Sequence, residues 1–483
     1  MSQDHPLFID GQARPASDGR TLTLVNPATQ QAFGQAAAGT RADVDTAVAA
    51  ARRELDGGAW SRLSGEARGR LLNKLADLVE RDAELIADMD ATCIGRPPIE
   101  PRLLDLPNAI GTLRTSAGWA DKLEGRTIPT PGYLGQPTLS YTRREPVGVV
   151  GAIVPWNTPF MITCWKVGPA LAAGCTVVIK PSEETPLSAL HLARLCQEAG
   201  IPDGVVNVVP GLGEVVGATL CTHPGVDKIT FTGSPEVGAV IQRTAGPLFK
   251  RVALELGGKS PQIVFEDADV QAAVQGCAMG IFFNQGQVCA AGSRILVQRG
   301  LAPAFGQALA AAAQSIRVGN PAEPGVQMGA VAKQEQFERI NRYIAQGVAE
   351  GATLAAGGPS EARGGWFVQP TVFVDARNDM RIAREEIFGP VATVIPFDDE
   401  ADAIRLANDT AYGLGATVWT RDVARGHRVA HAVKAGAVGI NAWAPIDPRL
   451  PWGGMKTSGI GRECGLAGVQ AYTEEKVITV LLG

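Results

Sequence analysis

The chain reads as an α/β protein: two doubly wound α/β domains and a small separate β element. Three observations predict this. From Val147 onward, near-continuous apolar runs (VGVVGAIVP, TVVIK, VVNVV, KITFTG) alternate with segments of helical length, the pattern of a parallel sheet buried on both faces. After Gly258 a second set begins, with RILVQ, VATVIPF, ATVWT and AVGIN spaced by further helical segments. The C-terminus closes on KVITVLLG, an apolar strand with nothing after it to cover it.

Taken in order, residues 7–27 read as a hairpin: LFIDGQ, a polar turn containing glycine, then TLTLVNP. A helix starts near residue 41, with Val44, Ala47, Val48, Ala51 and Leu55 at amphipathic spacing. A second covers about 64–90, with Leu71, Leu72, Leu75 and Leu78 opposite a charged face, and a third covers about 99–122. Residues 126–137 are rich in Pro and Gly and read as a connection; TLSYTR (138–143) alternates like a strand with one wet face. Strands at 147–155, 176–180, 205–209 and 228–233 are joined by helices over 160–173, 185–199 and 214–221, and a helix over 235–244 leads to RVALELGG. The second set has strands at 263–265, 294–298, 391–397, 416–420 and 437–441, with helices over 267–283, 301–315, 331–349, 401–408 and 422–434. The domains expected from this are 1–125 with 147–257, then 258–457, with 126–146 and 470–483 as strands for oligomerisation. The terminal strand is expected to join a sheet in a partner subunit with the 138–143 strand, an edge strand within the same chain being the alternative.

Composition narrows the function classes. The 483 residues are 45% hydrophobic and 19% charged, ordinary for a soluble globular chain with large cores. A net charge of −5 argues against nucleic acid or an anionic membrane as the main partner. The eight cysteines form no C-x-x-C and no zinc-ligand spacing, and the five histidines do not cluster, so a reducing compartment and no metal are expected. The N-terminus has no basic stretch followed by an apolar one, and no apolar run is long enough to span a bilayer, which places the expected location in the cytoplasm.

Chemistry is suggested by six stretches. In FFNQGQVCAAGSR (282–294), Cys289 lies among small and polar residues; Gly286, Ala290, Ala291 and Gly292 are expected to leave space around a thiolate and its tetrahedral adduct. From that stretch alone, a core cysteine beside a turn reads equally well. VPWNTP (154–159) puts Asn157 at a strand end, as an oxyanion donor or an Asx-turn. KPSEETP (180–186) offers Lys180 and a carboxylate at another strand end; an acidic group there suits a free ribose 2′-hydroxyl and repels a 2′-phosphate, whereas a solvated loop pair is the plainer reading. FTGSPEVG (231–238) has Gly233 and Ser234 before a helix with Pro235 at its start, where N–H groups can receive a pyrophosphate. It is not G-x-G-x-x-G, and GLGEVVG (211–217) has the wrong spacing. LELGGKSP (254–261) holds Glu255, a general base or a salt-bridged carboxylate. EEIFGP (385–390) holds Glu386 and Phe388, for ribose hydroxyls and a flat ring, or for a helix end. Together they supply what oxidation of an aldehyde through a thioester needs.

These stretches, in this order and with PWGGMKTSGIGRECG (451–465), resemble the signatures of the NAD(P)-dependent aldehyde dehydrogenase superfamily, from about residue 7 to the end. The resemblance implies an atypical Rossmann NAD-binding domain beside a catalytic domain, and NAD rather than NADP because of Glu183. It implies Cys289 as nucleophile, Asn157 and the Cys289 N–H as oxyanion hole, Glu255 as the base that activates water, and Lys166 and Glu463 as a proton relay. Lys180, Ser182 and Glu183 match the adenine-ribose end; Phe231, Thr232, Gly233 and Ser234 match the pyrophosphate turn; Glu386 and Phe388 match the nicotinamide end. Ile153, Val154, Pro155, Trp156, Gly213, Gly217, Val237, Leu256, Gly257 and Gln336 match lesser cofactor contacts. The expected assembly is a homodimer or homotetramer.

By position in that family, Met161, Trp165, Val288, Trp443 and Ile446 would line the tunnel to Cys289, which points to a hydrophobic or aromatic aldehyde. Thr158 and Trp452 stand where Phe is common, and CIGRPPIE (93–100) departs from the usual form near the tunnel mouth. Glu255 favours release of a free acid over transfer to CoA. The rivals are a CoA-acylating dehydrogenase, a cofactor-free thiol esterase, and a binding protein that has lost turnover.

Overall fold

Residues 4–362, 364–443 and 446–482 are described by the computed structural model; Met1 to Gln3 and Gly483, which end two of the expected segments, lie outside the described residues. An eight-stranded sheet runs in the order Gly459–Ile460, Arg251–Glu255, Lys228–Thr232, Val149–Ile153, Thr176–Lys180, Val206–Val208, Leu7–Ile9, Gln12–Arg14. Its five central strands are parallel, and the chain leaves Val149–Ile153 first to one side and later to the other. That reversal opens a crevice at the carboxyl ends of Val149–Ile153 and Lys228–Thr232. Apolar side chains cover both faces, among them Leu72, Leu75 and Leu171 on one and Val44, Val48 and Leu220 on the other.

A seven-stranded sheet has the order Thr353–Ala356, Thr371–Val374, Val391–Phe397, Arg294–Gln298, Pro261–Val264, Gly415–Trp419, Ala437–Ile440. All pairs are parallel except that of Thr353–Ala356 with Thr371–Val374. Segments that enter this sheet, 257–260, 289–293 and 386–390, pass the carboxyl ends of the first. The expected α/β architecture is therefore present, with two parallel sheets and helices packed on them.

Several local expectations are corrected. The hairpin closes at once: Asp10 and Gly11, both at positive φ, turn Leu7–Ile9 straight into Gln12–Arg14, as an Asp-Gly pair favours. Thr21–Asn26 pairs instead with Gln31–Ala37, in a different sheet. The long second helix breaks at Asp82 into Gly65–Arg81 and Ala83–Ile94; Arg81 and His191 hold the Asp82 carboxylate at the break. The third begins with a wide turn over Pro101–Asp105 before Leu106–Trp119, since Pro101 and Pro107 each lack a backbone donor. Thr353–Ala356 and Thr371–Val374 have no counterpart among the expected strands; alanines blur the alternation of the first, and the second is short. The terminal strand Thr473–Leu481 pairs antiparallel with Thr138–Pro146 of its own chain, from Thr473 opposite Pro146 to Leu481 opposite Thr138. Within the chain the two strands thus form the edge pairing given as the alternative, and the other edge of Thr473–Leu481 stays unpaired. Among the described residues no helix is long and apolar enough to cross a membrane.

Candidate active site

The helix Pro159–Ala173 anchors the site. Pro159 starts it, where a missing N–H costs nothing, and every residue of it is buried. A helix buried all round has no place for a free charge, so Lys166 must be paired. Its ammonium contacts the Glu463 carboxylate, and Thr230 Oγ1 lies 3.1 Å from each of the two. Lys166 and Glu463 therefore form a buried unit close enough to act on Glu255 through their charges, and neither lines the open cleft.

Glu255 ends the strand Arg251–Glu255 and is buried, with no hydrogen-bond partner for either carboxylate oxygen. Burial first, and then the negative Glu463, push its pKa well above the usual carboxylate range; Lys166 and Arg462 oppose this. A carboxyl in that state holds its proton more tightly than an exposed one and is a stronger base once ionised. Gly453, at φ 154°, is the reason it fits: a Cβ there would sit 2.6 Å from Glu255 Oε1.

Cys289 follows a strained turn. Asn284, Gln285 and Gly286 are all left-handed, at φ 50°, 55° and 70°. Two such non-glycine residues cost about 1–3 kcal/mol each and need external support. Side-chain amides supply it: Asn284 Nδ2 donates to Asn157 O at 2.9 Å, Gln287 Nε2 to Asn284 O at 3.3 Å, and Ala332 N to Gln287 Oε1 at 2.9 Å. At Gly286 a Cβ would lie 2.2 Å from Gly389 O. Gly292 likewise abuts the Gln262 side chain. Gly286 and Gly292 thus also serve close packing of the loop that carries Cys289. The thiol is partly exposed to the cleft. Burial of its sulfur, with the Glu386 and Glu255 carboxylates, raises its pKa to about 12, while the N–H groups of Ala290 and Cys289 pull it down.

Asn157 closes the triangle. Its Nδ2 donates to Gln287 O at 2.8 Å, which spends one of the two amide hydrogens and leaves the other. Asn157, Glu255 and Cys289 line one cleft with Pro155, Trp156, Thr232, Gly233, Ser234, Gly257, Gln336, Glu386 and Phe388. Trp156 and Phe388, from the two sheets' sides, meet edge to face at 5.2 Å. Glu386 accepts from Gly258 N at 3.0 Å, and burial raises its pKa to about 7.

The remaining expected cofactor residues separate into groups. Lys180 and Glu183 form an ion pair at 2.9 Å, and Glu183 Oε1 accepts from Gly213 N at 2.7 Å; Gly217 lies in the same turn. The Ser182 hydroxyl contacts the carboxylates of both Glu183 and Glu184. Ile153, Val154, Phe231 and Leu256 bury their side chains in the apolar cores, so only their backbone faces outward. Val237 is exposed in the first turn of the helix Pro235–Ala245, whose cap is Ser234. Gln336 donates to Ile387 O at 2.9 Å and Phe388 O at 2.7 Å, so its amide braces the Phe388 turn. Pro235, Glu236, Arg339 and Tyr412 also line the cleft and were not anticipated. Arg339 stands three residues past Gln336 on one helix face, a spacing that could have found it; Tyr412 carries no such signal.

Of the expected tunnel residues, Met161, Trp165, Val288 and Ile446 pack in one apolar cluster with Cys289 and Trp452. Trp443 approaches separately, its Nε1 donating to Ala290 O at 3.4 Å.

Two mainly parallel sheets, with a thiol, an unpartnered carboxyl and an amide in the cleft between them, give the layout of an α/β enzyme. The model of the aldehyde dehydrogenase family matches residues 14–478. An aldehyde dehydrogenase of Emericella nidulans is 48% identical over 478 residues, 99% of this chain and 95% of the relative. Retinal dehydrogenase 2 of Homo sapiens is 45% identical, over 98% of this chain and 91% of that one. A solved NAD+ complex of aldehyde dehydrogenase from Bacillus cereus has a TM-score of 0.97 and 44% identity, covering 99% of this chain and 97% of that one. The chain belongs to the aldehyde dehydrogenase family. It is an oxidoreductase that acts on aldehydes.

Proposed function

We propose that this enzyme oxidises a hydrophobic or aromatic aldehyde to the carboxylic acid through a thioester on Cys289, with NAD as oxidant. The observation that carries the reading is the convergence of Cys289, Asn157 and the unpartnered Glu255 carboxyl on one cleft. The cleft fits a dinucleotide: Ser234 caps the helix Pro235–Ala245, whose first N–H groups suit a pyrophosphate, and Thr232 Oγ1 is buried without a partner at its edge. Lys180 and Glu183 would hold one ribose, Glu386 the other, and the Bacillus cereus relative has been solved with NAD+. When bound, NAD supplies the hydride acceptor.

The chain's own residues do the rest. With its pKa raised to about 12, the thiol must lose its proton as it attacks, and the Glu255 carboxylate, whose own proton affinity is raised by burial, takes it. The free Asn157 N–H and the Cys289 N–H stabilise the oxyanion of the thiohemiacetal. Once the thioester has formed, Glu255 removes a proton from water, which attacks the carbonyl and releases the acid; the buried Lys166–Glu463 pair sets the charge around that base. Asn157→Ala is expected to lower kcat by about 10²- to 10³-fold with little change in the KM for NAD. An unchanged kcat would remove Asn157 from the oxyanion hole.

Glu183 favours NAD because its carboxylate, held by Lys180 and Gly213 N, would face a 2′-phosphate. Glu183→Gln should raise the ratio of kcat/KM with NADP to that with NAD by about ten-fold or more, since it removes a repulsion and frees Lys180. No change in the ratio would place cofactor choice elsewhere.

The substrate class follows from the tunnel. Trp165 and Trp443 both spend their indole N–H inside the protein, on Asn108 and Ala290 O, which leaves apolar surface to an entering aldehyde. Val477, Val480 and Leu481 are exposed on Thr473–Leu481, whose outer edge is unpaired in the three-stranded sheet. This supports a homodimer or homotetramer built on that sheet, and the absence of paired cysteines supports a cytoplasmic enzyme. The domains are read as 1–125 with 147–257 for NAD, 258–457 for catalysis and the 126–146 and 470–483 strands for assembly. An aldehyde panel followed by NADH absorbance, with NAD, NADP and added CoA in parallel, tests the function. Turnover that requires CoA, or none with any aldehyde, would overturn it.

A further inference from the structure

We propose that Asn108 is a positioning residue that holds Trp165 as one wall of the aldehyde tunnel and so sets selectivity for bulky apolar aldehydes; this rests on the tunnel reading above. Asn108 lies on the helix Leu106–Trp119, on a face with the buried Leu106, Ala109 and Thr112. An amide in that setting is costly unless its polar atoms are used. Both are used, by two different segments of the apolar cluster that holds Trp165 and Ile446. Its Oδ1 accepts from Trp165 Nε1 at 2.7 Å, and its Nδ2 donates to Ile446 O at 3.2 Å. One side chain thereby joins three segments: its own helix, the helix Pro159–Ala173, and the loop at Ile446.

Two consequences follow. Trp165 cannot turn without leaving its N–H and the Asn108 oxygen unpaired in an apolar cluster, so its rotamer is held by more than contact. Trp452, with ring centroid 6.1 Å from that of Trp165, supports the indole through apolar contact. It offers no hydrogen bond in exchange, so only Asn108 makes the ring orientation specific. The second tie keeps Ile446, another residue of that cluster, in register with the indole. A fixed wall favours a rigid aromatic substrate, whose fit depends on ring placement, more than a two-carbon aldehyde, which does not touch the whole wall.

The test is a double-mutant cycle on substrate preference. Asn108→Leu keeps the volume and removes both hydrogen bonds; Trp165→Phe removes the donor; the double variant and Asn108→Ala complete the set. Kinetics are measured with benzaldehyde and acetaldehyde, with the KM for NAD alongside. Asn108→Leu should lower the kcat/KM ratio of benzaldehyde to acetaldehyde by about ten-fold, the worth of one buried neutral hydrogen bond. In the Trp165→Phe background the same change should move the ratio by clearly less, about three-fold at most, because the bond to the indole is already gone and only the one to Ile446 O remains to be broken. An equal shift in both backgrounds, no shift in either, or a parallel rise in the KM for NAD would overturn the proposal. A wild-type enzyme with no preference for benzaldehyde over acetaldehyde would remove the tunnel reading and this inference together. A wild-type preference that survives Asn108→Leu would remove only the inference.

Discussion

Cys289→Ala is expected to lower aldehyde-dependent NADH formation by about 10⁴-fold or more, with NAD affinity nearly intact. The reason is structural as well as chemical. Of the eight cysteines, seven are buried, and Cys289 alone is partly open to the cleft. No neighbouring thiol can take over. The loop should survive the change: its strain is held by Asn284 and Gln287, whose bonds do not involve the sulfur. Stopped-flow absorbance for NADH and titration of NAD by protein fluorescence separate the two effects. Retained turnover in this variant would sink the thioester mechanism; lost NAD affinity would show that the loop itself had moved.

Glu255→Gln should split the reaction in two. Attack and release each use a base once per cycle, but release must deprotonate water, a much weaker acid than the Cys289 thiol, so it depends on the carboxylate more. Steady-state turnover is expected to fall by about 10²- to 10⁴-fold, while a first, near-stoichiometric burst of NADH remains. The burst is helped because removing the Glu255 charge removes one of the causes that raise the Cys289 pKa. The sign of the pH effect follows from the raised pKa of Glu255. Below that pKa the carboxyl holds its proton and cannot serve as base; above it the carboxylate is free. Wild-type turnover should therefore rise with pH through a value above the ordinary carboxylate range, and the variant should lose that rise. A variant that keeps both the full rate and the rise would assign the base elsewhere.

Much of this site was legible in the sequence because its residues sit at strand ends, where apolar runs stop and turn residues begin. Asn157 follows Val149–Ile153, Lys180 ends Thr176–Lys180, Gly233 follows Lys228–Thr232, and Glu255 ends Arg251–Glu255. The alternation of apolar runs marks each of those ends, so their residues could be named before any partner was known. Tyr412 and Glu236 were not legible for the opposite reason: nothing local distinguishes a surface-facing Tyr or Glu from one that faces a cleft. Ser182 and Gln336 carry bonds that no local pattern announces: the Ser182 hydroxyl meets Glu183 and Glu184, and the Gln336 amide N–H group meets the carbonyls of Ile387 and Phe388.

What the sequence by itself determined is the α/β class, the run of strands and helices within each sheet, the family resemblance, and the short set of residues able to do covalent chemistry. Periodicity and turn chemistry are local, and local pattern suffices for them. Tertiary structure decided which polar atoms are free. Glu255 has both oxygens unpartnered, Asn157 has one hydrogen spent, and Cys289 sits on three left-handed residues held by amides from the same turn. It also decided that the terminal strand pairs within its own chain, and that Gly286 and Gly292 pack closely against Gly389 and Gln262. Hydrogen-bond satisfaction and burial depend on groups distant in the chain, so no reading of neighbours along the sequence could settle them. Cys289 could be picked out as a candidate from its thirteen-residue stretch; that its pKa is raised by burial, and further by Glu386 and Glu255 from two other segments, is a property of the folded cleft alone.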